Sequence, residues 1–185
     1  MHKKILSFVS ALLAVVLMAS CGAQHKGSTS PNTAGAATGP SASQWKSGVR
    51  GVWVLNAVTR ENIPTEYTVK NIFDEAPVDC FIGSEWNLPG GNHRGSITFN
   101  TAGTLCADGA VRTIIWDIYN PGKMGGEPQF QFKKLYAGDK ASNVTSGYRL
   151  DLSYANEESL VMKMPIPLDN NTTGYLVFDF TKVNR

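Results

Sequence analysis

From Gly48 onward the chain alternates apolar and polar residues with a period of two, and Gly, Pro, Asn and Asp clusters interrupt the alternation. Enrichment in β-branched and aromatic residues makes this a series of strands rather than helices. The pattern predicts strands at Gly51 to Thr59, Glu66 to Phe73, Ser84 to Leu88, Gly95 to Asn100, Thr104 to Cys106 and Val111 to Tyr119. It continues with Gln129 to Tyr136, Gly147 to Tyr154, Leu160 to Ile166 and Gly174 to Val183. Glu66 to Phe73 is the weakest, because its alternation shifts at Ile72. Thr101-Ala102-Gly103 marks a hairpin turn. No segment carries a convincing 3.6-residue stripe, although Asp74 to Ile82 has room for a short helical turn. Short strands with turns about every 8–12 residues predict an all-β domain over residues 48–185. The expected architecture is an antiparallel up-and-down β-barrel of about eight strands.

The alternation also sorts faces. Tyr148, Leu150, Leu152 and Tyr154 share one side, opposite Arg149, Asp151 and Ser153. Leu160, Met162 and Met164 oppose Val161 and Lys163, and Leu176, Phe178 and Phe180 oppose Asp179 and Thr181. Large inward residues, with Met able to fill irregular space, suit a filled core. They equally suit the lining of an apolar cavity, which an eight-stranded barrel is just wide enough to enclose. Tyr148, Leu150, Leu152, Met162, Met164, Phe178 and Phe180 are the candidate lining.

The first 47 residues follow a different rule. His2, Lys3 and Lys4 precede an apolar run from Ile5 to Met18, broken only by Ser7 and Ser10. Fourteen helical residues span about 21 Å, short of the roughly 30 Å hydrocarbon core. A basic start, a short apolar run and a small-residue end describe an export signal over residues 1–20. Its end, Leu17-Met18-Ala19-Ser20-Cys21, resembles the bacterial lipobox. That resemblance implies acylation of Cys21, and two or three acyl chains give stable membrane residence. Residues 21–47 then contain one Trp and no aliphatic residue larger than Ala, the composition of a lipidated flexible tether. Surface-exposed lipoproteins of Bacteroidetes often carry an acidic patch after this cysteine. Gly22-Ala23-Gln24-His25-Lys26 has no acid, so the expected location is the outer membrane, facing the periplasm.

Charge and chemistry add mainly exclusions. The formal charge of +2 comes from 17 basic and 15 acidic residues. Loss of Lys3 and Lys4 with the leader leaves 15 of each, so nothing steers the domain toward nucleic acid. His93 is the one histidine after residue 48, too few for a zinc site or a Ser-His-Asp arrangement elsewhere. No Gly-x-Ser-x-Gly and no phosphate-binding Gly-Lys-Ser/Thr is present, and no cofactor is implied. Asp74, Glu75 and Asp79 lack calcium-loop spacing. Trp86 and Tyr119 read as core or rim aromatics more readily than as a sugar platform. With no nucleophile beside a base, an enzyme is not expected.

Gly51-Val52-Trp53 on the first strand, behind a tether, resembles the Gly-x-Trp signature of the lipocalin and calycin superfamily. The later order of Cys80-Phe81-Ile82-Gly83-Ser84-Glu85-Trp86, Gly95-Ser96-Ile97-Thr98-Phe99, Ile115-Trp116 and a Phe-rich last strand resembles the lipocalin-like lipoproteins of Bacteroidetes. The resemblance covers residues 48–185. It implies that Trp53 closes one end of the barrel. It also implies an arginine packed over that tryptophan, for which Lys182 or Arg185 is a loose substitute.

Cys80 and Cys106 remain after Cys21 is assigned. In an oxidising periplasm they form a disulfide, or else remain as two buried thiols. The expected function is a lipid-anchored envelope lipoprotein that binds a small hydrophobic or amphipathic ligand in its barrel. The alternative is a structural or interaction module without a cavity, whose partner is another envelope protein.

Overall fold

The structure, a computed structural model, describes residues 40–169 and 171–184. The expected export signal, the expected acylation site Cys21 and the expected tether up to residue 39 lie outside the described residues, as does Arg185. Eight strands form one closed antiparallel barrel. They are β1 (Gly51–Glu61), β2 (Glu85–Leu88), β3 (Arg94–Thr98), β4 (Val111–Tyr119), β5 (Gln129–Leu135), β6 (Tyr148–Ala155), β7 (Ser159–Pro167) and β8 (Thr173–Lys182). Every strand pairs with its sequence neighbour. β8 closes the ring on β1, from Trp53 opposite Lys182 to Glu61 opposite Tyr175. The period-two alternation thus gave the architecture correctly, because each strand buries one face only.

Three elements differ from the sequence expectation. Residues 42–47, read as tether, belong to helix α1 (Ala42–Val49). Ser41 caps it: its hydroxyl accepts from the Gln44 amide at 3.3 Å, and the Gln44 side chain accepts from the Ser41 amide at 2.8 Å. Trp45 and Val49, one turn apart, bury their side chains and fix the helix to the barrel. The predicted strand at Glu66 to Phe73 is instead part of a long strap, residues 62–84. There Phe73 and Asp74 adopt φ values of 53° and 47°, which no ladder can continue through. Ile72 and Phe73 are adjacent and both buried, so the segment turns inward instead of alternating. Thr104 to Cys106 makes only an isolated bridge, Gly103 to Cys106, within the β3–β4 connection.

Tyr154 is also displaced from its expected face. A bulge in the β6–β7 pairing falls between Leu152 and Tyr154, and Tyr154 emerges half exposed. Because consecutive strands are antiparallel, their connections alternate between two ends. α1 and the connections 89–93, 120–128 and 156–158 share the helix end. The strap and the connections 99–110, 136–147 and 168–172 share the strap end.

The core runs the length of the barrel. Trp53, Trp86, Trp116, Phe130, Phe178 and Leu150 are among its fully buried members. Gly95 on β3 makes one close approach possible. A Cβ there would lie 2.4 Å from the Asn87 carbonyl oxygen and 3.4 Å from Cδ1 of Trp116.

Candidate functional site

At the helix end, Gly51 and Trp53 are held together by the helix and the last strand. Trp53 is fully buried and its Nε1 donates to the Val49 carbonyl at 2.8 Å, tying β1 to α1. Nζ of Lys182 lies 5.1 Å from the centre of the Trp53 ring, a cation–π arrangement. A Cβ on Gly51 would meet Lys182 Cε at 2.7 Å, so glycine there makes room for the lysine stem.

The inward residues converge on the barrel axis and pack against one another. Leu150, Leu152, Met162, Phe178 and Phe180 are buried in the core, with Met164 and Tyr148 partly buried against it. Phe130, Phe132, Trp86 and Trp116 fill between them, with ring centres 5.7 to 6.3 Å apart.

Above them sits Phe73, a residue that the sequence reading left without a role. It descends from the strap and is only 4% exposed. Its ring centre lies 5.1 Å from Phe132, 5.4 Å from Phe81, 5.5 Å from Tyr148, 5.8 Å from Phe178 and 6.2 Å from Trp86. Most of these contacts are edge-to-face, the arrangement that the ring quadrupole favours. The strap therefore plugs the barrel mouth with an aromatic side chain.

Polar contacts latch the plug. Glu75, two residues on, accepts from Arg112 Nε at 2.8 Å and from Lys134 Nζ at 2.9 Å. Arg112 is on β4 and Lys134 on β5, so one carboxylate bridges two staves. Lys134 also donates to the Asp74 carbonyl oxygen at 3.2 Å, and the Tyr148 hydroxyl donates to Asp74 Oδ2 at 3.1 Å. Burial alone pushes the Glu75 carboxyl upward, but the Arg112 and Lys134 hydrogen bonds and charges outweigh it and hold the pKa below the usual value. Burial raises the Tyr148 hydroxyl, helped by the Asp74 carboxylate.

A group with a lowered native pKa stabilises the fold above its unfolded value, about 4.3 for glutamate, and loses that contribution as pH falls through the native value. Glu75→Gln is accordingly expected to cost about 2 kcal/mol at pH 7. Its melting temperature should approach that of the parent as the pH is lowered below about 4. Thermal melts from pH 7 to pH 3 test this, and a difference independent of pH would refute the latch.

Cys80 and Cys106 form a disulfide with an S–S distance of 2.03 Å. It joins the strap to the β3–β4 connection. His93 stacks on Trp116 with ring centres 4.8 Å apart, and its Nδ1 is 3.6 Å from Asp117, which also pairs with Lys46 of α1 at 2.7 Å. Trp86 is fully buried and donates to Ser84 at 3.0 Å, whereas Tyr119 is exposed at the helix end, so these two rings form no common platform. Asp74 and Glu75 are engaged in the latch. Among the described residues no group of three or more His, Cys, Asp or Glu is placed to hold a metal ion.

Grooves occur on the outside of the barrel. One, of about 570 Å³, crosses β4 to β6 between Ile115, Gln131, Lys133 and Arg149. Lys133 is already engaged there by the Val144 carbonyl at 2.7 Å.

Phe73 and the latch were hidden from sequence reasoning because their partners are remote: Glu75 meets residues 37 and 59 positions away. The one signal was the paired Ile72-Phe73 that broke the alternation before Asp74-Glu75. Comparisons with protein-family models, with curated proteins and with solved structures find no match to this chain.

Proposed function

We propose that this chain is a lipid-anchored envelope lipoprotein, acylated at Cys21, whose barrel is a packed, non-enzymatic interaction module. The observation that carries the second half is the occupied interior: Phe73 takes the place at the barrel mouth that a small apolar ligand would take. The leader and lipobox-like end carry the first half. With the interior packed in this way, specificity resides on the outer faces and connections. The test is displacement of a fluorescent fatty acid from the purified protein, with native mass spectrometry for carried ligands. No displacement and no carried mass are expected, and saturable displacement overturns the packed-module reading. Mass analysis of the N-terminal peptide checks acylation at Cys21.

A second reading keeps the small apolar ligand, and one observation favours it. The plug comes from a connecting segment whose residues 73 and 74 hold positive φ, a conformation costing of order 1 kcal/mol or more per non-glycine residue. A ligand that displaces Phe73 relieves that strain. This reading requires Glu75→Gln to bind the fatty acid more tightly than the parent.

A further inference from the structure

We infer that the helix end of the barrel docks on the bilayer surface, with Met124, Tyr119 and Tyr154 as its apolar contacts; the inference rests on the lipid-anchor reading above. These three side chains are 80%, 44% and 50% exposed. Tyr119 ends β4 and Tyr154 lies near the end of β6, the two strands that flank α1. Lys46 of α1 pairs with Asp117 on the first, and a Cβ on Gly48 would meet Ala155 on the second at 3.1 Å. Met124 belongs to the connection 120–128, and Asn120 at its start donates to the Pro40 carbonyl at 3.1 Å. The chain from Cys21 therefore reaches the domain beside this apolar tip.

Charge separates the two ends. The connections at the strap end carry seven acids (Glu66, Asp74, Glu75, Asp79, Asp108, Asp139, Asp169) and two bases, Lys70 and Lys140, with Glu75 paired to Arg112 and Lys134 of the adjoining strands. Among the described side chains, α1 with its flanks and the connections at the helix end carry three acids (Glu127, Glu157, Glu158) and two bases, Lys46, which pairs with Asp117, and Arg50. Leu105, Val111 and Tyr136 at the strap end are also exposed, but Asp108 and Asp139 sit beside them in the same connections. An anionic headgroup layer repels the more acidic strap end more strongly than the helix end. Tyrosine suits the interface, where an apolar ring and a polar hydroxyl are both accommodated. Eighteen residues lie between Cys21 and Pro40, and a Gly- and Ser-rich chain of that length has an r.m.s. span of about 21–25 Å. Such a tether holds the domain at high effective concentration near the membrane, so a weak contact is sufficient to orient it.

The test uses the full-length lipidated protein in vesicles of phosphatidylethanolamine and phosphatidylglycerol. Met124→Cys and Leu105→Cys, one for each end, carry an environment-sensitive fluorophore, and lipids with doxyl-labelled chains act as quencher. A side chain docked about 5–10 Å into the headgroup boundary should give roughly threefold steeper quenching at position 124 than at 105. Equal quenching, or steeper quenching at 105, in protein that floats with the vesicles overturns the docking and leaves the anchor standing. Protein that fails to float with the vesicles overturns the anchor and the docking with it.

Discussion

Phe73→Ala is expected to lower the stability of the domain by about 3–5 kcal/mol, the range for removing a well-packed aromatic from a core. For a domain of this size that is a fall in melting temperature of roughly 10 °C. The size of the effect follows from the position of the ring. Five aromatic side chains, from the strap and from four parts of the barrel wall, lose their common neighbour at once. Rigid strands on all sides give the space little freedom to collapse, which places the cost in the upper part of the range. The backbone supplies a control. Phe73 sits at φ 53°, where glycine avoids the penalty that a Cβ brings, so Phe73→Gly should be no less stable than Phe73→Ala although it is smaller. Thermal melts of both variants at pH 7 decide the matter. A loss below about 1 kcal/mol for Phe73→Ala would mean that the plug is not seated.

The second large effect is expected at the disulfide. Replacing Cys80 and Cys106 together by Ser should cost about 3.5 kcal/mol, the chain-entropy value for a loop of this length. The residues are 26 positions apart, and the bond closes the strap's C-terminal part onto the β3–β4 connection. Cys80 is seven residues beyond Phe73, in the same strap. Losses from the two sites should therefore fall short of their sum when combined, because a strap freed at one point has less to lose at the other. Urea unfolding of the parent, the double-serine variant and the triple variant with Phe73→Ala measures both terms. An unchanged midpoint for the double-serine protein under oxidising conditions would contradict the first. Strict additivity would contradict the second.

How much of this was legible in the sequence depends on the range of each interaction. Strand positions were readable because a half-buried strand repeats every two residues, and β4 begins and ends where the alternation does. The helix carried a local signal, the Ser41-x-x-Gln44 capping box, but a serine-rich eight-residue segment has too little apolar character to stand out. Its Trp45 and Val49 acquire meaning only against the barrel. Tyr154 was assigned to the inner face by strict alternation, and a bulge, which leaves no mark in the sequence here, turned it outward. The candidate lining residues were placed on the correct side. Whether they enclosed a space depended on Phe73, whose own role depended on a carboxylate meeting two cations on different strands. Such pairings are set by topology, and topology is a property of the closed ring.

Closure itself imposes an order of events on the growing chain. The pairing of β1 with β8 means that the first strand made waits for the last, and that Lys182 reaches Trp53 only when synthesis is nearly complete. Until Tyr175 to Lys182 has emerged, β1 and β7 each present an unsatisfied edge, a hazard for pairing with other chains. Contacts of such long sequence separation form slowly, because much of the chain must be ordered before they are rewarded. A protein built this way stays unfolded through most of its synthesis. That is also the condition that threading a chain across a membrane requires, and a truncation that removes the last strand leaves the ring open between β7 and β1.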